Sequence, residues 1–150
     1  MNKFSAALIL CLLVGGSCKT NANEVGNPSV PVHRLGFSLG TPAMLNLVSI
    51  VHLPITTISV SGMYWGEDPV GLQVGASVFR SEQKSFFRAL NLIIGMMDYE
   101  DGDYGREWNY YGIDGLFSWK LLFIQPGVTA GNGSFSSPQI SMQIGFLWTL

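Results

Sequence analysis

Residues 140–150 decide the fold, and their sequence is ISMQIGFLWTL. Apolar residues alternate there with small or polar ones, which gives two sets. One set is Ile140, Met142, Ile144, Phe146, Trp148 and Leu150; the other is Ser141, Gln143, Gly145 and Thr149, joined by Leu147. Because successive side chains of a strand point to opposite faces, this period of two predicts a β-strand with one apolar face.

The same alternation returns along the rest of the chain. Together with less regular segments it gives eight candidate strands, at residues 32–40, 44–52, 56–65, 70–80, 86–99, 110–120, 121–132 and 140–150. Lengths of 9–12 residues, with 14 for residues 86–99, suit tilted strands that cross a bilayer. Two segments, 44–52 and 86–99, are apolar on both faces in places, so their facing stays open.

The composition favours a membrane barrel. Charged residues make up 12% of the 150-residue chain, against ~25% in a typical soluble domain. Beyond residue 14 no apolar run reaches the length of a transmembrane helix, and in lipid only helices and closed barrels satisfy every backbone hydrogen bond. We therefore predict an all-β fold, an eight-stranded antiparallel up-and-down transmembrane β-barrel. A net charge of −2 argues against nucleic acid as a partner.

The first residues have the layout of a secretory signal peptide. A short basic head, an apolar run over residues 4–14 and a small, polar stretch follow one another. The pattern Thr20-Asn21-Ala22 predicts cleavage after Ala22, which divides the chain into a signal peptide (1–22), a short segment (23–31) and the barrel (32–150). The alternative is cleavage before Cys18 to leave a lipidated cysteine. In either case we expect no disulfide in the barrel.

The connections and the aromatic residues indicate an orientation. The longer connections fall mainly at the first, third, fifth and seventh positions, as expected for outer loops, and short turns fall between them. Barrel interfaces are ringed by aromatic side chains. We assign Tyr64, Trp65, Tyr99, Trp108, Tyr110 and Tyr111 to the outer ring, and Phe79, Phe86, Phe87, Trp119, Phe123 and Trp148 to the inner ring.

The last eight residues, QIGFLWTL, are similar to a known sequence signal. They resemble the C-terminal assembly signal of Gram-negative outer-membrane β-barrels at Gln143, Gly145 and Trp148, while Leu150 stands where Phe or Trp is usual. With LGFSLGTPAMLNL (35–47) and SGMYWG (61–66), the chain is similar to an uncharacterised group of small eight-stranded outer-membrane barrels. The resemblance implies a monomer in the outer membrane of a Gram-negative-type bacterium, in contact with outer-membrane lipid and assembled by the barrel-folding machinery.

An eight-stranded barrel is just wide enough for side chains to fill it, so we expect no open pore. The interior polar network is predicted to comprise Arg34, Gln73, Asn91, Asp114, Gln125 and Gln143. Within it we pair Arg34 with Asp114, since an isolated buried charge is costly. Arg80 and Arg88 flank a charged turn at 81–85, which could attract phosphate, but we expect their side chains to extend towards water.

The acidic run after the fifth candidate strand is the candidate site for a metal or a partner. Its oxygen ligands suit Ca²⁺ or Mg²⁺ and belong to Asp98, Glu100, Asp101, Asp103 and Glu107. A simple solvated loop is the alternative. No cofactor is predicted.

The expected function is a structural or surface-binding role through the outer loops. One alternative is an outer-membrane lipid-modifying enzyme, for which only His33 and His52 could act as the base. Both are predicted on the side away from the outer leaflet, so we expect no catalytic residue. The other alternative is a soluble lipocalin-like barrel, which would turn its apolar side chains inward around a ligand.

Overall fold

The computed structural model describes residues 31–63, 70–81, 86–101 and 104–150, with no side-chain description for residues 63, 99–101, 104 and 105. The predicted signal peptide lies outside this range. The described residues form eight strands: β1 (Val32–Gly40), β2 (Leu45–His52), β3 (Thr57–Met63), β4 (Val70–Arg80), β5 (Phe87–Asp101), β6 (Tyr104–Trp119), β7 (Leu122–Gly133) and β8 (Gln139–Thr149).

The strands form one closed antiparallel barrel in chain order. Closure is made by β1 and β8, whose pairing runs from Arg34 opposite Thr149 to Gly40 opposite Gln143. The prediction of an all-β, eight-stranded, up-and-down barrel is therefore confirmed. In the part of the chain that is described, no helix is long and apolar enough to span a membrane.

The barrel has two ends, which we name by their connections. The loop end carries the connections β1–β2, β3–β4, β5–β6 and β7–β8. The turn end carries residues 53–56, 81, 86 and 120–121, together with the start of β1 and the end of β8.

The outer wall is apolar and the interior is largely polar. Outward side chains such as Ile140, Tyr111 and Trp119 are 85%, 66% and 64% exposed. Buried polar side chains include Ser38, Asn46, Ser59, Ser61, Gln73, Asn91, Asp114, Ser118, Gln125, Thr129, Ser141 and Gln143. In β8 the apolar set predicted from the alternation faces outward, and the set with Gln143 faces inward.

The structure shows which side chains of β2 and β5 point into the barrel, which the sequence pattern leaves open. In β2, Asn46, Val48 and Ile50 point inward and are buried. In β5 the outward residues are Leu90, Leu92, Ile94 and Met96, all exposed. These strands are apolar on both faces because the interior contains an apolar layer as well as polar groups: Val48, Ile50, Ala89, Leu116, Phe123 and Leu147 pack together inside the barrel.

The acidic run is mostly strand, whereas we expected a loop from 100 to 107. β5 and β6 continue pairing to Glu100 opposite Gly105 and Asp101 opposite Tyr104. With 15 and 16 residues these two strands are the longest of the described part. Their hairpin therefore extends beyond the neighbouring strands at the loop end.

Two bulges change the facing of side chains at the turn end. Between β4 and β5 the pairing shifts between Ser77 and Phe79, and between β5 and β6 it shifts between Phe87 and Ala89. An extra residue in one strand re-aims the side chains that follow it. After the first bulge, Arg80 pairs with the inward-facing Ala89.

Several aromatic residues assigned to the interface rings lie inside the barrel instead. Trp108, Tyr110 and Phe123 are only 2%, 4% and 1% exposed, because the alternation of β6 and β7 points them inward. Tyr111 and Trp119 do face outward, as predicted. Tyr64, Trp65 and the Tyr99 side chain lie outside the described residues.

Candidate functional site: the barrel interior

The interior side chains form four successive layers, which can be followed along single strands. On β6 the inward residues run from Trp108 and Tyr110 through Asp114 and Leu116 to Ser118. They belong, in that order, to an aromatic plug, a polar network, the apolar layer and a cavity at the turn end. The apolar layer therefore separates the polar network from the cavity.

The aromatic plug fills the loop end. Trp108 stacks on Tyr110 with ring centroids 4.4 Å apart, and it contacts Phe135, from the β7–β8 connection, at 5.9 Å. Ile93 and Met97 complete the cluster. Because these groups come from strands and from a loop, the plug joins the β7–β8 connection to the wall.

Asn46 fixes the β1–β2 connection over the same end. Its side-chain oxygen accepts a hydrogen bond from the Ala43 amide at 3.0 Å, and its amide nitrogen donates to the carbonyl oxygens of Gly40 and Ala43 at 2.9 and 2.6 Å. Pro42 and Ala43 are buried. The connection thus folds against the barrel interior.

Asp114 is the centre of the polar network. One carboxylate oxygen accepts a hydrogen bond from the Asn91 amide and the other accepts one from the Gln125 amide, both at 2.7 Å. All three side chains are buried. The structure thus brings together three of the six residues proposed for the network.

Two further hydrogen-bonded groups belong to the network. The Tyr110 hydroxyl donates to the side-chain oxygen of Gln73 at 2.9 Å. Gln143 accepts from the Ser38 hydroxyl and donates to the Ser61 hydroxyl, each at 3.1 Å. Gln143 therefore connects three strands through their side chains.

Arg34 is not paired with Asp114, so the predicted ion pair is wrong. Arg34 instead lines the cavity at the turn end, on the far side of the apolar layer. Its Nε atom is buried and has no hydrogen-bond partner among the described residues. The separation follows from the stagger of the strands, which a sequence pattern does not specify.

The cavity at the turn end is basic. It has a volume of about 240 Å³, and Arg34, His52, Arg80 and Arg88 all line it. The sequence predicts that Arg80 and Arg88 extend their side chains towards water. The two bulges bring both side chains to the lining of the cavity, which no periodic pattern could have indicated.

The acidic residues form no described metal site. Asp98 and Glu107 lie opposite each other in the β5–β6 pairing, and both are exposed. No group of three or more metal-ligating side chains occurs in the described part of the chain. Glu100 and Asp101 have no described side chains, and Asp103 lies outside the described residues.

Gly145 has a clear role in the folded barrel. A Cβ atom at this position would lie 1.9 Å from the carbonyl oxygen of Phe37 and 2.7 Å from the Cα of Ser38. Only glycine permits this close approach of β8 to β1. Trp148 and Leu150, also in the proposed assembly signal, are exposed on the outside.

Each histidine contacts a hydroxyl group. The His33 Nε2 atom lies 2.9 Å from the Ser49 hydroxyl oxygen, and the His52 Nδ1 atom lies 2.9 Å from that of Thr57. A serine next to a histidine is one element of a nucleophilic site. Ser49 and His33 are only 6% and 9% exposed, however, and no carboxylate accepts a hydrogen bond from His33 among the described contacts. The contact therefore serves as a buried hydrogen bond.

Comparison with protein-family models, curated proteins and solved structures finds no match to this chain.

Proposed function

We propose that the chain is an outer-membrane β-barrel with a structural or surface-binding role exerted through its outer loops. The observation that carries this proposal is the facing of the wall: large apolar side chains are exposed on the outside, and hydrogen-bonded polar groups fill the inside. Monomeric soluble proteins rarely expose contiguous apolar patches of more than a few hundred Å². A hydrocarbon environment removes this surface from water.

The facing argues against the lipocalin-like alternative. A soluble ligand-binding barrel needs apolar side chains around an internal cavity and polar ones outside. Here Phe146 and Ile144 are exposed while Gln143 and Ser141 are buried. That arrangement is the reverse of what the alternative requires.

The packed interior supports a role without a pore. The plug around Trp108 and Tyr110 fills the loop end, and six apolar side chains pack below the polar network. Eight-stranded barrels are usually filled in this way. The surface for contacts with other molecules is then the loop end, where β5 and β6 extend furthest among the described strands.

We also propose a location and a route of assembly for the chain. The chain would be exported by the signal peptide at residues 1–22, would contact outer-membrane lipid as a monomer, and would be inserted by the barrel-folding machinery through the signal at its last strand. The apolar outer face of β8, with Ile144, Phe146 and Trp148 exposed, supports that reading of the strand.

A pair of arginine substitutions on one face of β6 tests the proposal. Ile113 and Asn109 both point outward, but Asn109 lies nearer the loop end. Ile113→Arg should destabilise a barrel folded in lipid vesicles by ~2–4 kcal/mol, while Asn109→Arg should cost only ~0–1 kcal/mol, because the penalty depends on depth in the bilayer. Urea unfolding measures both. Equal, small effects, with recovery of the protein from the soluble fraction, would contradict the proposal.

A further inference from the structure

We propose that the basic cavity at the turn end is a binding site for a phosphate group, carried by inorganic phosphate, by a small phosphomonoester or by a lipid headgroup. The site goes beyond the proposed role, because it lies at the opposite end of the barrel from the outer loops.

The cavity is a pocket with a floor. Ile50, Leu116 and Leu147 line it and also belong to the apolar layer. About 240 Å³ leaves room for a phosphate group together with several water molecules. Because the apolar layer lies beneath it, the cavity suits binding of a ligand and not its passage.

The charge of the lining is unbalanced. Three guanidinium groups converge on this space, and the described residues that line it include no Asp or Glu. Like charges that share a partly desolvated space repel one another more strongly than they would in water. An anion in the cavity would relieve that repulsion.

Two of the arginines are held in place by neutral groups. Arg80 donates to the carbonyl oxygen of Leu53 in the β2–β3 turn, and the Arg88 Nε atom donates to the Ser118 hydroxyl at 2.9 Å. A carbonyl or a hydroxyl fixes the orientation of a guanidinium group but leaves its charge uncompensated. Among the described residues neither side chain has an acidic partner, so both are positioned and remain available to an anion.

Arg34 supplies the strongest indication of a ligand. Its buried Nε atom has no acceptor among the described residues, and a buried donor without a partner is rare and costly. A phosphate oxygen would satisfy it. Guanidinium groups bind phosphate through paired, charge-assisted hydrogen bonds, so three arginines around one space favour this ligand over a neutral one.

The test is calorimetric titration of the barrel folded in a nonionic, phosphate-free detergent. Inorganic phosphate, glycerol 3-phosphate and a short-chain phosphatidic acid are titrated in separate experiments. We expect saturable binding at one site, at least tenfold weaker in Arg34→Gln and in Arg88→Gln. The matched control is Arg106→Gln, which removes an exposed arginine of the β5–β6 hairpin and should leave binding unchanged.

Each result has a defined meaning. Binding of inorganic phosphate or glycerol 3-phosphate supports a free ligand, whereas binding of phosphatidic acid alone assigns the phosphate group to a lipid headgroup. No saturable binding of any of the three, or an equal loss in Arg106→Gln, would overturn the proposal. Heat-dependent gel mobility checks folding of every variant, so that a failure of the barrel itself is seen separately. If Arg34→Gln does not fold, Arg88→Gln carries the test.

Discussion

The Tyr110 hydroxyl donates a 2.9 Å hydrogen bond to the side-chain oxygen of Gln73 across the inside of the barrel. Tyr110 stands opposite Gly95 in the β5–β6 pairing. A Cβ atom at Gly95 would lie 2.3 Å from the Tyr110 ring, so the ring occupies the space that a side chain would fill. The glycine and the tyrosine together direct the hydroxyl to Gln73.

Removing that hydroxyl tests the network. Tyr110→Phe leaves the buried Gln73 oxygen without its donor, which should lower the free energy of unfolding by ~1–3 kcal/mol. Urea unfolding in vesicles measures the loss. Tyr111→Phe is the control, because Tyr111 is outward and 66% exposed, and it should change stability little. An equal loss of unfolding free energy in both variants would show that the hydrogen bond from Tyr110 to Gln73 does not stabilise the barrel.

The stability of the barrel should depend on the number of hydrogen-bond acceptors that residue 114 presents. Asp114→Ala leaves the amides of Asn91 and Gln125 without an acceptor, at ~1–3 kcal/mol for each unsatisfied group. Asp114→Asn keeps one acceptor oxygen and should therefore lose about half as much. The same unfolding assay compares the two. A loss in the asparagine variant as large as that in the alanine variant would contradict this account of the carboxylate.

Gly145 should be required for closure of the barrel. Gly145→Ala places a methyl group against the backbone of Phe37 and Ser38, which cannot move without separating β8 from β1. We expect a low yield of the heat-modifiable folded form. Gly115→Ala is the control, because its nearest neighbour is the Phe117 ring at 3.0 Å, which can shift. A normal yield for Gly145→Ala would show that β1 and β8 need not approach so closely.

The proposed orientation of the barrel predicts which end can be labelled from outside. Arg106 is exposed on the β5–β6 hairpin, and Lys120 is exposed in the β6–β7 turn at the opposite end. In intact cells an impermeant maleimide should label Arg106→Cys but not Lys120→Cys until the outer membrane is opened. The reverse pattern would mean that the barrel is inserted the other way round.

Much of the fold could be predicted from the period-two alternation of the sequence. The predictions that were wrong have physical causes. The alternation in residues 140–149 gave the facing of β8, because that strand is regular from end to end. Arg80 could not be placed, since a bulge at the end of β4 reverses the facing of the residues after it. The sequence places Trp108 and Tyr110 in an interface ring because aromatic side chains suit both an interface and an apolar plug, and residue type does not distinguish the two.

The candidate site was harder to predict than the wall. Gln73, Asn91, Asp114, Gln125 and Gln143 stood out as polar residues in alternating strands. Their partners Tyr110, Ser38 and Ser61 depend on the stagger between strands, as does the separation of Arg34 from Asp114. The role of Asn46 could have been predicted from the sequence. A polar residue just after the Gly-Thr-Pro turn at 40–42 is well placed to accept a hydrogen bond from a backbone amide.

The most direct test of the central claim, that the apolar wall faces lipid, uses tryptophan fluorescence in vesicles made with brominated lipid. Single-tryptophan variants retain Trp119, Trp148 or Trp108 and carry Phe at the other positions. Trp119 and Trp148 are 64% and 45% exposed on the outer wall, whereas Trp108 is 2% exposed inside the barrel. The account predicts strong quenching of Trp119 and Trp148 and little quenching of Trp108. Unquenched emission from Trp119 and Trp148, in a barrel that stays folded in buffer without detergent or lipid, would contradict it.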